Sequence, residues 1–292
     1  VKITERGESF YNSRLNGVLK EYEDQGIVEI SDGAKCVFLE GFQSKDGTPL
    51  PMILQKSDGG FNYASTDAAA LMQRVRDEKA DRIIYVVDAG QQLHFQMVFK
   101  AAVKANIYDP EKVRVEHVPF GVVLGADGKK FKTRSGKTEK LIDLLQEAVK
   151  RARKVLQGKL EGATEEEIDY LAKILGVDAV KYADLSCHRV KDYVFSYDRM
   201  LNFEGNTAAY LLYSYVRIQG IKRKCKKDVE KLFKTVPISL NEDVEIALGL
   251  QLRQFGETLA LMDRDLLPNR LSDYLYELAE KFHAFFRDCR VE

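Results

Sequence analysis

The 292-residue chain has no tryptophan, only four cysteines, four histidines and six prolines, and no excess of either charge, with 45 Lys and Arg against 45 Asp and Glu. Each shortage excludes something. Zero formal charge supplies no global field to recruit nucleic acid, so any basic surface must be local. Cys36, Cys187, Cys225 and Cys289 form no CxxC pair and have no histidine at ligand spacing. That speaks against a disulfide framework or structural metal and for reduced thiols, as in the cytoplasm. Apolar runs such as residues 83–87 are far too short to span a bilayer, and no membrane partner is expected. No signal peptide opens the chain, and its first residue is Val rather than Met.

What is present is 45% hydrophobic residues, enough for two packed domains. Tyr11, Leu15, Val18, Leu19 and Tyr22 make one apolar helical face, closed by Gly26 at the C-terminal position. Short strands are predicted over 27–30 and 35–39, joined by a Ser31-Asp32-Gly33 turn, and over 52–55. A helix then starts with its cap near Ser65, Thr66 or Asp67. Residues 82–88 read as a buried parallel strand, followed by a helix over 92–105 and a strand over 113–117. This strand–helix–strand unit is half of an α/β nucleotide-binding fold, whose ligands sit at the carboxyl ends of strands. Beyond Lys137 no further strands are predicted. Helices are expected over 138–157, 164–175, 207–225, 241–263 and 270–290. The fold class is α/β followed by all-α.

The segment GADGKKFKTRSGKT, residues 125–138, sets Lys129, Lys130, Lys132, Arg134 and Lys137 on a glycine-rich loop after an apolar run. A solvated turn is one reading and a polyphosphate site is the other. It is not a P-loop. That motif needs a glycine five residues before the GK pair, and Phe131 stands there. A second basic region lies between residues 217 and 234, where eight cations face two acids. It follows a helix bearing Tyr210, Tyr213 and Tyr215, and aromatics beside cations suit unstacked RNA bases and their phosphates. Burial in a core explains the tyrosines equally well.

The stretches KSDGGFNYASTDAAA, ADRIIYVVDAGQQLHFQ, HVPFGVVLGADGKKFKTRSG, KYADLSCHRVKDYVFSYDRML and GNTAAYLLYSYVRI resemble, in order and spacing, the class I arginyl-tRNA synthetases, and the cytosolic eukaryotic form above all. The resemblance covers almost the whole chain. It implies a partial Rossmann-like catalytic domain over 1–140, a helical stem-contact region over 141–200 and an incomplete helical anticodon-binding domain over 201–292. The implied activity is ATP-dependent activation of L-arginine, with Mg2+ accompanying the ATP, and transfer to tRNA(Arg). No prosthetic group is implied, and a larger assembly with other synthetases is compatible with it.

The resemblance also assigns residues. Lys130 to Arg134 occupy the place of the KMSKS loop, with Thr133 at its second lysine, so Lys129, Lys130 and Lys132 are implied to neutralise the leaving pyrophosphate. Tyr63, Asp67 and Gln91 map onto the arginine pocket, Asp67 supplying the carboxylate for the guanidinium; without the resemblance, Asp67 reads more simply as a helix cap. His94 falls in the element that meets the adenylate. His117, Val118, Phe120, Gly121 and Val122 are implied to line the adenine, with Pro119 where the family usually has glycine. Tyr210, Tyr213, Arg217, Lys222 and Phe286 are implied RNA contacts, with Tyr276 nearby.

None of His94, His117, His188 and His283 lies in a HIGH-like motif, which the first half of a class I nucleotide fold carries. The chain thus resembles the middle-to-late part of such an enzyme, without the HIGH-containing part and the extreme C-terminus, and is expected to be inactive alone. The competing reading is a naturally short, non-catalytic tRNA-binding or assembly module on the same fold. The retained Tyr63, Asp67, Gln91 and basic loop favour the ligase.

Overall fold

The computed structural model describes residues 3–125, 127–129, 140–225 and 229–289, with the side chains of residues 229, 230 and 233 left out. The chain forms two compact units, residues 1–120 and 121–292.

In the first unit a 3-10 helix, Glu8–Arg14, runs into α1, Leu15–Asp24. The predicted apolar face is the buried one: Tyr11, Leu15, Val18, Leu19 and Tyr22 all face the core. Gly26 follows with φ 66°, the left-handed conformation that ends a helix. An antiparallel sheet comes next, of β1 (Glu29–Ser31), β2 (Ala34–Gln43) and β3 (Pro49–Gln55). Asp32 and Gly33 both have positive φ, 48° and 76°, as a two-residue hairpin of this twist demands.

Helix α2, Tyr63–Arg76, does not begin where the sequence suggests. Its cap is Asn62, whose Oδ1 accepts from the N–H of Ala64 at 3.0 Å and of Ser65 at 3.4 Å. Ser65, Thr66 and Asp67 therefore lie inside the helix. Strand β4 (Arg82–Asp88) and β5 (Arg114–Phe120) pair in parallel around α3 (Gln92–Lys104), which is the expected strand–helix–strand unit. Alanines 68, 69, 101 and 102 are buried, and their small side chains let α2 and α3 pack closely in the core.

The second unit opens with β6, Val123–Leu124. Helices α4 (Leu141–Gln157) and α5 (Glu165–Ser186) pack along one another; α5 starts at a capping box of Thr164 and Glu167. The sequence reading ends α5 at 175, before Gly176. The helix passes straight through, because Gly176 is a contact position: a β-carbon there would stand 2.6 Å from the Val149 backbone. Ala148, Ala152, Ala172 and Ala179 line the same buried seam.

The expectation of no strands after Lys137 is also corrected. Strand β7, Tyr193–Val194, pairs in parallel with β6. After it come α6 (Tyr197–Met200), α7 (Ala208–Cys225), α8 (Val229–Thr235), α9 (Asp243–Arg253), α10 (Phe255–Asp265) and α11 (Asn269–Asp288). The single helix expected over 241–263 is two, bent at Gln254. Helix α11 packs against α5, α7, α9 and α10.

Candidate functional site

In the first unit the chemistry gathers at the N-terminal ends of α2 and α3. Tyr63 and Asp67 are one helical turn apart on α2 and share a face. His94, in the first turn of α3, reaches across so that its Nε2 lies 2.7 Å from Asp67 Oδ2. A carboxylate only accepts, so Nε2–H is the donor. The His94 ring also meets the Tyr63 ring edge-on, with centroids 5.0 Å apart. The cap reading of Asp67 falls with this geometry, since Asn62 caps the helix and Asp67 is held side-on. Tyr63 is 63% exposed, whereas the Asp67 and His94 side chains are largely covered. Gln91 is exposed at the N-terminal end of α3, and its side chain does not cap that helix.

His117, on β5, stacks on Phe95 at 5.1 Å and its Nε2–H donates to the Val87 carbonyl at 3.1 Å. Its Nδ1 is buried with no hydrogen-bond partner among the described residues. Val118 is buried and Phe120 exposed. Pro119 sits in β5 opposite Val87.

In the second unit, Gly121 and Val122 turn out to be occupied. The Gly121 N–H donates to the Arg189 carbonyl at 2.8 Å, and the Val122 N–H to Asp192 Oδ1 at 2.6 Å. A β-carbon on Gly121 would come 2.5 Å from the Lys191 carbonyl oxygen, so glycine is what lets the 189–192 loop approach. Lys129 is exposed, in a turn closed by the Gly125 N–H donating to its carbonyl at 2.8 Å. Lys130 and Lys132 lie outside the described residues.

The implied RNA contacts come together on α7 and α11. The Arg217 guanidinium carbon stands 4.7 Å from the Tyr213 ring centre and 4.6 Å from that of Phe286, a sandwich between two π-faces. Its Nη2 donates to the Tyr213 hydroxyl at 2.8 Å. Tyr210 packs on Tyr276 at 5.5 Å. Lys222 is exposed in the last turn of α7, on a different side of the helix from Arg217. Sequence reasoning missed His283, whose Nδ1 and Nε2 lie 2.8 Å from the Tyr210 hydroxyl and 2.9 Å from Ser214 Oγ. Its signal was available: His283 lies one turn before Phe286 and shares its face.

The family described as tRNA synthetases class I (R), catalytic domain, matches residues 1–197. The chain belongs to the class I arginyl-tRNA synthetase family. The DALR anticodon binding domain matches residues 211–292 of this synthetase chain. The chain is similar to the arginine–tRNA ligase of Protochlamydia amoebophila, 61% identical over 292 residues that cover 100% of this chain and 50% of the relative. That of Crocosphaera subtropica is 56% identical over 295 residues, again covering 100% and 50%. The crystal structure of arginyl-tRNA synthetase from Plasmodium falciparum aligns with a TM-score of 0.87 at 37% identity, covering 100% of this chain and 48% of that one. The chain thus spans about half the length of the curated relatives it matches. These relatives are bacterial and lend no support to a eukaryotic likeness.

Proposed function

We propose that this chain is part of an arginine–tRNA ligase, which activates L-arginine with ATP and passes the arginyl group to tRNA(Arg). The observation that carries this reading is the Asp67 carboxylate, pinned at Oδ2 by His94 and flanked by the exposed Tyr63 ring. A carboxylate already oriented by one hydrogen bond presents its other oxygen to a guanidinium without reorganising, and the tyrosine ring gives a flat surface beside it. Gln91 completes the set as an amide near the same helix ends.

ATP would bring its magnesium with it. Lys129, Lys130 and Lys132 would add positive charge where the leaving pyrophosphate gains negative charge. His117 and the β5 edge would meet the adenine, and the Tyr213–Arg217–Phe286 group would meet unpaired bases of the RNA. We take the three-part division at 140 and 200 as the functional one. Cys36, Cys187 and Cys289 are free thiols, which suits a reducing compartment such as the cytoplasm. Association with other synthetases would use surfaces outside these groups.

Asp67→Asn in the full-length protein tests the reading. Removing one charge-assisted hydrogen bond weakens arginine binding by about 1.5–3 kcal/mol and leaves ATP affinity nearly unchanged. Calorimetric titration with arginine measures it. Unaltered arginine affinity would remove Asp67 from the pocket.

A further inference from the structure

His283 is the one histidine whose two ring nitrogens both have side-chain partners among the described residues, and one assignment of donors satisfies both bonds. Ser214 Oγ lies 3.0 Å from the Tyr210 carbonyl oxygen, which can only accept, so the single serine proton points there. Ser214 is 6% exposed. With its proton on that carbonyl, the serine accepts at its 2.9 Å contact with His283 Nε2, and Nε2 carries the hydrogen in this arrangement. A neutral ring then has a lone pair at Nδ1, which takes the proton of the Tyr210 hydroxyl at 2.8 Å. The bonds close a directed ring: tyrosine hydroxyl to imidazole, imidazole to serine, serine to the tyrosine's own carbonyl.

We propose that His283 is the positioning residue of an RNA-base platform, holding α7 and α11 at the separation and rotation that set Arg217 between Tyr213 and Phe286. This rests on reading that group as an RNA contact. The platform is split between the two helices. Tyr213 and Arg217 come from α7, and Phe286 from α11, one turn beyond His283. Arg217 can stack on both rings only while the helices keep their spacing, and the hydrogen-bonded ring grips α7 at two points a turn apart. Tyr213 and Phe286 remain 47% and 38% exposed, which leaves ring surface for a base to stack on.

Histidine suits this place because one rigid plane offers an acceptor and a donor at fixed separation. It must stay neutral. Protonation would turn Nδ1 into a second donor against the Tyr210 proton and set a second cation beside Arg217. The groups facing the ring are Tyr210, Tyr213, Ser214 and Arg217 from α7 and Glu280 from its own helix. Helices α9 and α5 meet α11 further toward its N-terminus, through Gln251–Glu277 and Tyr182–Ser272. Burial first, and Arg217 second, hold the imidazole below its usual 6.5, with Glu280 opposing.

The test uses the full-length protein and an in vitro transcribed arginine tRNA as probe, at fixed salt. Arg217→Ala weakens binding about tenfold or more if the platform contacts RNA. His283→Phe weakens it similarly, His283→Gln recovers part of the affinity, and Tyr210→Phe adds nothing on top of His283→Phe. In wild type, affinity falls as pH drops below the usual histidine value. In His283→Gln that step is gone. Full affinity in His283→Phe alongside weakened Arg217→Ala overturns the role of His283 and leaves the platform standing. If Arg217→Ala also binds normally, the RNA reading itself fails. If His283→Phe does not fold, the pH profile of His283→Gln decides: a step identical to wild type overturns the proposal.

Discussion

Asp67 and His94 join α2 to α3 through one hydrogen bond of 2.7 Å, from the histidine Nε2–H to the carboxylate. Residues twenty-seven apart in sequence thereby act as one acidic group with a fixed direction. His94→Ala leaves the charge of Asp67 in place and frees its orientation. Arginine affinity in the full-length protein then falls by about 0.5–1.5 kcal/mol, the worth of an ordinary hydrogen bond and less than for Asp67→Asn. Titration of both variants beside wild type checks the order. A larger drop in His94→Ala would mean that the imidazole itself contacts the ligand.

The two basic regions should divide the work. In the full-length protein, replacing Lys129, Lys130 and Lys132 by Gln slows adenylate formation, read by ATP–pyrophosphate exchange, and leaves tRNA affinity largely intact. Replacing Lys222, Arg223 and Lys224 does the reverse. It also lowers the slope of log affinity against log salt by about 0.7–0.9 for each phosphate that is no longer neutralised. Two sets of variants that behave alike would contradict both assignments.

Two helical glycines should respond in opposite directions. Gly176→Ala drives a methyl into the Val149 backbone, 2.6 Å away, and backbone cannot swing aside as a side chain can. The α4–α5 pair must shift, at a cost of about 1–3 kcal/mol. Gly220, in α7, has nothing among the described residues within 4 Å of its would-be β-carbon. Gly220→Ala stabilises by about 0.5–1 kcal/mol through helix propensity. Thermal unfolding of the two variants gives the comparison, and equal shifts would refute the close packing at Gly176.

His283 makes stability depend on pH in a definite direction. Its folded value is pushed below the ordinary 6.5 by burial and Arg217. As pH falls below that value, the unfolded chain binds a proton that the folded chain refuses, so stability drops; above it the contribution is fully present. The unfolding temperature of wild type should therefore decline between the ordinary and the folded value more steeply than that of His283→Gln. Parallel curves would show that the imidazole titrates normally.

Much of this protein is legible in its sequence. The buried face of α1, the 82–88 strand and the α3 helix all follow from hydrophobic period, which a chain carries locally. So does the left-handed Gly26. The choice of Tyr63, Asp67 and the implied RNA contacts comes from family resemblance, and the structure gathers Tyr63 with Asp67, and Tyr213 with Arg217 and Phe286. What the sequence does not contain is pairing at a distance. Strands β6 and β7 are two residues each, too short to show a period, and exist because Gly121 lets the 189–192 loop close in. Gly176 reads as a stop signal until the partner helix is seen against it. Asp67 reads as a cap because its bond to His94 joins two helices, and the ring through Tyr210, Ser214 and His283 likewise needs both α7 and α11. Local pattern set most of the helices and the longer strands. Only packing decided which of their polar atoms meet, because a hydrogen bond depends on position to a fraction of an ångström and no local pattern specifies that between separate elements.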